Sequence, residues 1–139
     1  MEIRKATRAD YDRLLALDTL AAGTEERCDQ IRNWLDTGVC YVAQTGELAV
    51  AYGVLHYHFF GHGFIEMIMV GAQFRRKGLG LALVRHFQQR CATQKLFTST
   101  NLSNHSMQTL LQGAGFRSSG FIDDLDDNDP EIVFCFRVK

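Results

Sequence analysis

Proline is almost missing from this chain. Of 139 residues only Pro130 is a proline, so no proline-rich linker divides it and no low-complexity segment or internal repeat interrupts it. No uncharged run approaches the roughly 20 apolar residues of a membrane-spanning helix, and Met1-Glu2-Ile3-Arg4-Lys5 does not read as a signal peptide. A cytoplasmic protein without membrane contact is expected. Basic charge is not in excess: 15 Lys and Arg against 16 Asp and Glu give a formal net charge of −1, which gives no reason to expect nucleic acid. Cys28, Cys40, Cys91 and Cys135 form no Cys-x-x-Cys pair. Zinc and redox motifs therefore lose their support, and reduced core thiols are expected. With 46% hydrophobic residues, the chain has enough apolar surface for the core of one globular domain.

What is present centres on Gln73-Phe74-Arg75-Arg76-Lys77-Gly78-Leu79-Gly80-Leu81-Ala82-Leu83, where three consecutive cations run into two glycines and then an apolar helical pattern. Phe64 to Val70, just before it, is an apolar run that reads as a buried strand interrupted by one carboxylate, Glu66. Just after it, Leu79, Leu83, Phe87 and Cys91 recur every fourth residue, which is one face of a helix. The glycines thus fall at a strand-to-helix turn, where free N–H groups and the helix dipole attract anions. Gly78 and Gly80 would let a phosphate approach the backbone, and Arg75, Arg76 and Lys77 add formal charge. A Walker loop would need Gly-Lys-Ser/Thr, but Leu81-Ala82 follows Gly80; a dinucleotide fingerprint would need a third glycine where Leu83 stands.

The rest reads as alternating elements. Glu2–Lys5 is a short strand, and Thr7-x-x-Asp10 resembles a capping box opening a helix that ends near Ala21-Ala22-Gly23. Thr24 is placed to cap a second helix with Cys28, Ile31 and Leu35 on its inner face. Val39 to Gln44 and Leu48 to Phe59 read as strands joined by a Thr45-Gly46-Glu47 turn, with Gly61-His62-Gly63 as the next turn. Tyr57 and Phe59 are expected in the core. His56, His58 and His62 are the one candidate metal set, but no nearby cysteine or carboxylate is seen to complete it, so no metal is expected. Lys95 to Thr100 is a further strand, Asn104 caps a helix that buries Met107, Leu110, Leu111 and Ala114, and Phe116 to Ile122 and Ile132 to Val138 are the last strands. Between these two lies an acidic loop, Asp123 to Glu131, whose first reading is a solvated turn.

The stretch Arg75-x-x-Gly78-x-Gly80, followed about thirty residues later by Asn104 to Phe116 with its Asn start and Gly115-Phe116 end, resembles the GNAT superfamily of acetyl-CoA-dependent N-acetyltransferases. The resemblance covers essentially all of residues 1–139 and implies a single domain. It implies an α+β fold in which a mixed, mostly antiparallel sheet of about seven strands, splayed between the fourth and fifth, carries about four helices. It further implies acetyl-CoA as co-substrate and an amine as acceptor, and leaves a homodimer open. Pyrophosphate would lie on Arg75, Arg76, Lys77, Gly78, Leu79, Gly80 and Leu81. The cofactor arm would pair with the backbone of Ile68 and Val70, an N–H near Ile68 or Met69 would face the thioester carbonyl, and Asn104 would contact the arm.

An alkyl amine with a pKa near about 10 is only about one part in a thousand neutral at pH 7, so a base is useful. Glu66 is the carboxylate within the central strand, on the face of Ile68 and Val70 by alternation; it reads either as a solvated or salt-bridged glutamate at the strand's open edge or as that base. Tyr41, Tyr52 and Tyr57 are secondary candidates. Two departures stand out: the family often has a Tyr acid where Leu111 stands, and its peptide-acetylating members often have a Glu where Ser99 stands. Two function classes follow, an N-acetyltransferase acting on a small or peptide amine, and a GNAT-fold acyl-CoA-binding sensor or partner-binding module with little turnover.

Overall fold

The computed structural model describes residues 1–21 and 23–138; Ala22, at the expected stop of the first helix, lies outside the described residues. The elements are β1 (Glu2–Lys5), a 3₁₀ turn (Arg8–Asp10) running into α1 (Tyr11–Leu17), α2 (Glu25–Asp36), β2 (Cys40–Thr45), β3 (Leu48–Phe59), β4 (His62–Val70), a second 3₁₀ turn (Ala72–Phe74), α3 (Leu79–Arg90), β5 (Lys95–Asn101), α4 (His105–Gly113), β6 (Arg117–Ile122) and β7 (Glu131–Arg137). Seven strands form one sheet in the order β1-β2-β3-β4-β5-β7-β6. The pairs β1–β2, β2–β3, β5–β7 and β6–β7 are antiparallel, and β4–β5 is parallel. This is the expected mixed α+β architecture.

By compactness the chain divides into two units, Met1–Leu55 with Met67–Leu83, and His56–Glu66 with Val84 onward. The first is built around Leu14, Leu17, Ile31, Trp34, Leu35, Val42, Tyr52 and Val54, against which Met67, Met69 and Phe74 pack. A second cluster in the same unit joins Ala43, Ala51 and Leu83 to Ile3, Ile68, Val70 and Leu79. The alternation of β4 is therefore visible in its packing, with Met67 and Met69 in one cluster and Ile68 and Val70 in the other. In the second unit Phe87, Leu96, Leu111, Phe116 and Phe134 are buried.

The capping box is present, with the Thr7 N–H donating to Asp10 Oδ2 at 2.8 Å. Asp10 is also gripped by both arms of the Arg4 guanidinium at 2.9 Å each, and that bidentate pair holds its carboxyl below the usual aspartate range. Thr24 does not cap α2 through its side chain; its hydroxyl donates to the Leu20 carbonyl at 2.6 Å. Trp34 joins Ile31 and Leu35 on the buried face of α2, while Cys28 is half-buried. Gly61-His62-Gly63 is not the next turn. Phe60 (φ +52) and Gly61 (φ +78) make it, a two-residue connection with both residues left-handed, and His62 already belongs to β4.

Tyr57 is 37% exposed rather than in the core, and Phe59 is half-buried against Phe64 and Phe97. β4 is not buried throughout: only Gly63 and Ile65 are, and Met67 to Val70 are half-buried. The parallel register with β5 runs from Gly63↔Leu96 to Ile65↔Thr98, which is the part of the strand where burial is deepest. The cysteines are free thiols, Cys40 and Cys135 buried and Cys28 and Cys91 half-buried. Burial pushes the Cys40 thiol up to about 12, so it stays protonated and inert.

Candidate functional site

The loop after β4 is set by close packing at one end and backbone freedom at the other. A Cβ on Gly71 would lie 2.7 Å from Leu17 Cδ2 and 3.3 Å from the Val50 carbonyl oxygen, so any side chain there would force Leu17 to shift and crowd the β3 backbone. The Gly71 N–H donates to Val50 O at 3.0 Å, which ties the end of β4 to β3. Beyond the 3₁₀ turn, Arg76 (φ +65) and Gly78 (φ +77) both adopt left-handed backbone. For Arg76 this carries an energetic cost, and no local sequence feature signals it. Gly78 has nothing within 4 Å of where a Cβ would stand, so its role is conformational rather than steric.

The first i→i−4 bond of α3 is Ala82 N–H to Gly78 O at 3.0 Å, so the N–H groups of Leu79, Gly80 and Leu81 lie ahead of the helical ladder. Arg75, Arg76, Lys77 and Gly78 are exposed beside them. Arg75 Nε donates to Val70 O at 3.3 Å and Lys77 Nζ sits 5.9 Å from the Phe74 ring centroid. Among the described residues no carboxylate forms an ion pair with these three cations. An unneutralised cationic turn at the start of a twelve-residue helix can hold a polyphosphate.

Ile68, Met69, Val70 and the loop through Leu81 all belong to the first unit, whereas Glu66 and Asn104 belong to the second. Glu66 is not a solitary carboxylate. Its Oε1 is 3.0 Å from His56 Nε2, with side-chain exposures of 39% for Glu66 and 17% for His56. The carboxylate beside the strand histidines that sequence reading did not see is therefore Glu66. Even so, among the described residues no group of three or more His, Cys, Asp or Glu side chains is placed to hold a metal ion. His56 and His58 stack on each other instead, with centroids 5.4 Å apart.

Asn104 is the N-cap of α4, its Oδ1 accepting from the Met107 N–H at 3.2 Å. Leu111 is 1% exposed, a core residue with no chemistry to offer. Ser99 donates its hydroxyl to Glu131 Oε2 at 2.7 Å. The acidic loop is partly bonded to the β5–α4 connection: Asn101 Nδ2 donates to Asp126 Oδ2 at 2.9 Å, and the Ser103 hydroxyl donates to Asp129 Oδ2 at 2.6 Å.

A second carboxylate was missed altogether. Asp18 caps the end of α1, and its side chain is fully buried. Its oxygens accept from the Leu20 N–H at 2.8 Å, from Arg27 at 2.9 Å and from the Tyr52 hydroxyl. Burial, reinforced by Asp18, pushes the Tyr52 hydroxyl far above its usual range, which removes Tyr52 from the candidate bases. The Tyr57 hydroxyl accepts from the Ala92 N–H at 3.0 Å.

Residues 7–116 match the model of the acetyltransferase (GNAT) family. The chain belongs to that family. It is 32% identical to a GNAT-family acetyltransferase from Bacillus cereus ATCC 10987, with a TM-score of 0.90 over 98% of this chain and 96% of that one. It shares its fold, at 16% identity and a TM-score of 0.79, with the ribosomal-protein-S18-alanine N-acetyltransferase of Escherichia coli, over 99% and 93% of the two chains. A candidate streptothricin acetyltransferase from Bacillus anthracis str. Ames, crystallised with acetyl coenzyme A, aligns at 20% identity and a TM-score of 0.64 over 70% of this chain and 61% of that one. No curated protein matches the chain. Among the described residues no helix is long and apolar enough to cross a membrane.

Proposed function

We propose that this GNAT protein transfers the acetyl group of acetyl-CoA to a primary amine of a small molecule or peptide, by direct attack in a ternary complex. The observation that carries the reading is the turn from Arg75 to Leu81, with its left-handed Arg76 and Gly78, its three cations outside any ion pair among the described residues and the free amides opening α3. The pyrophosphate lies on those amides. The pantetheine arm takes the backbone of Ile68 and Val70 as a strand partner, in the half of β4 that is only half-buried. An N–H near Ile68 or Met69 donates to the thioester oxygen as charge develops on it, and Asn104 contacts the arm.

The amine nitrogen then bonds to the acetyl carbon, the C–S bond breaks, and coenzyme A leaves as thiolate. Glu66, through a bridging water, accepts the proton that the amine loses. The thiolate, with a thiol pKa near about 8.5, takes its proton from solvent, since Leu111 holds no acid. Calorimetry with acetyl-CoA and release of free thiol with a panel of spermidine, lysine and an alanine-initiated peptide test this. Saturable binding together with amine-dependent thiol release is expected. The buried Leu111 favours one other reading, an acyl-CoA-binding sensor or partner-binding module. Tight binding with no thiol release on any amine selects it.

A further inference from the structure

We propose that His56 is a positioning residue for Glu66, an inference that rests on the reading of Glu66 as the base. His56 Nδ1 accepts the backbone N–H of His58 at 3.1 Å, so Nδ1 must carry the lone pair and the ring proton must reside on Nε2. That Nε2–H points at Glu66 Oε1, 3.0 Å away. The direction of the ring is thus set by the chain two residues on, and the ring in turn occupies one oxygen of the carboxylate. Oε2 is left for water or amine. The ring also packs against two others, stacked on His58 at 5.4 Å between centroids and tilted against Phe64 at 5.6 Å.

The arrangement differs from a surface ion pair in one respect that matters for catalysis. A glutamate that is 39% exposed has side-chain torsions to spare, and a base that wanders loses rate steeply, since a misplacement of about 1 Å can cost about 100-fold. A donor with fixed tautomer and fixed ring plane removes that freedom without covering the reactive oxygen, as histidine-orienting carboxylates do in the reverse sense at metal sites.

Kinetics of wild type, Glu66→Gln, His56→Leu, His56→Gln and the double variant Glu66→Gln/His56→Leu test it, using acetyl-CoA and the fastest acceptor from the amine panel. His56→Leu should lower kcat about 10- to 100-fold with KM for acetyl-CoA unchanged. His56→Gln, whose amide N–H has nearly the reach of Nε2–H, should return to within about threefold of wild type. In the Glu66→Gln background, His56→Leu should add nothing, because the two residues act as one unit. Full kcat in His56→Leu while Glu66→Gln is impaired overturns the positioning role and leaves the base intact. Near-full turnover in Glu66→Gln instead overturns the base. An equal loss from His56→Leu in both backgrounds assigns His56 an independent role and overturns the inference. Imidazole ¹⁵N shifts of the wild-type protein give a check that needs neither turnover nor a folded variant: the Nε2–H tautomer supports the inference, and an Nδ1–H tautomer at His56 overturns it.

Discussion

Two carboxylates of this chain, Asp18 after α1 and Glu66 in β4, have opposite surroundings. Asp18 is fully buried and accepts from a guanidinium, a phenol and a backbone N–H. Glu66 is 39% exposed and has the His56 imidazole against one oxygen. Burying a charge is tolerable only when its hydrogen-bonding capacity is filled, and a carboxylate so filled has nothing left for a substrate. Asp18 therefore ties α1, α2 and β3 together through Arg27 and Tyr52, while Glu66 keeps a lone pair available. The number of unfilled oxygens, more than the depth of the residue, separates the structural acid from the candidate base.

The largest effect of a single substitution is expected at Glu66. Glu66→Gln keeps size and hydrogen bonding and removes basicity, so turnover at pH 7 should fall by about 10²–10⁴ with acetyl-CoA affinity and melting temperature nearly unchanged. Part of the loss should return at high pH, where the amine deprotonates unaided. Steady-state kinetics across pH check it, and retained turnover at pH 7 would make Glu66 structural too.

Asp18→Asn should do the reverse. It leaves the largely buried Arg27, 15% exposed at its side chain, without its counter-charge and should cost about 3–5 kcal/mol of stability by urea denaturation. The Asp18 carboxyl sits below its ordinary 3.8: burial pushes it up, but hydrogen bonds from Tyr52, the Leu20 N–H and Arg27 pull it further down. Because the folded value is the lower one, this stabilisation is complete above the ordinary aspartate range and disappears as pH falls through the folded value. Wild type should thus lose stability at acid pH more steeply than Asp18→Asn. Parallel acid limbs would count against the assignment.

A smaller effect is expected in the loop. Gly78→Val must carry a β-branched side chain at φ +77, so acetyl-CoA affinity should fall at least about tenfold with the fold intact, and Gly78→Asn, which tolerates left-handed backbone, should lose less. Unchanged affinity by calorimetry in folded Gly78→Val would exclude the turn as the phosphate site.

Smallest is the acidic loop. Asp126 and Asp129 are hydrogen-bonded to residues 101–103, so steering of a cationic acceptor would rest on Asp123, Asp124 and Asp127. Replacing these by Asn should lower kcat/KM for spermidine no more than about fivefold, and the difference should vanish at high salt. An unaltered kcat/KM at low salt would reduce the loop to a solvated turn.

Much of the fold was legible because local rules and tertiary packing agree. β1 and β3 have the bounds that their apolar patterns imply, and Asn104 caps α4 as its position implies. Turns were less legible. The turn at Phe60-Gly61 puts a bulky residue at positive φ, a conformation that local propensity argues against, and tertiary context overrode that preference. The exposure of β6 was not legible either: its apolar Phe121 and Ile122 lie exposed on the last strand of the sheet, 64% and 42% respectively, and hydrophobicity alone cannot tell an edge strand from a central one.

The sequence by itself determined the family, the order of strands and helices and the place of the cationic, glycine-bearing turn before α3, because each depends on short-range features: periodicity, glycine spacing and adjacent cations. Only the tertiary structure decided which side chains meet. Asp18, Arg27 and Tyr52 are separated by up to 34 residues, yet converge on one buried charge, and His56 reaches Glu66 across the Phe60-Gly61 turn. Hydrogen bonds between distant residues act over a few ångströms and leave no periodic trace in the chain. They exist only once packing has brought the donors to the acceptor.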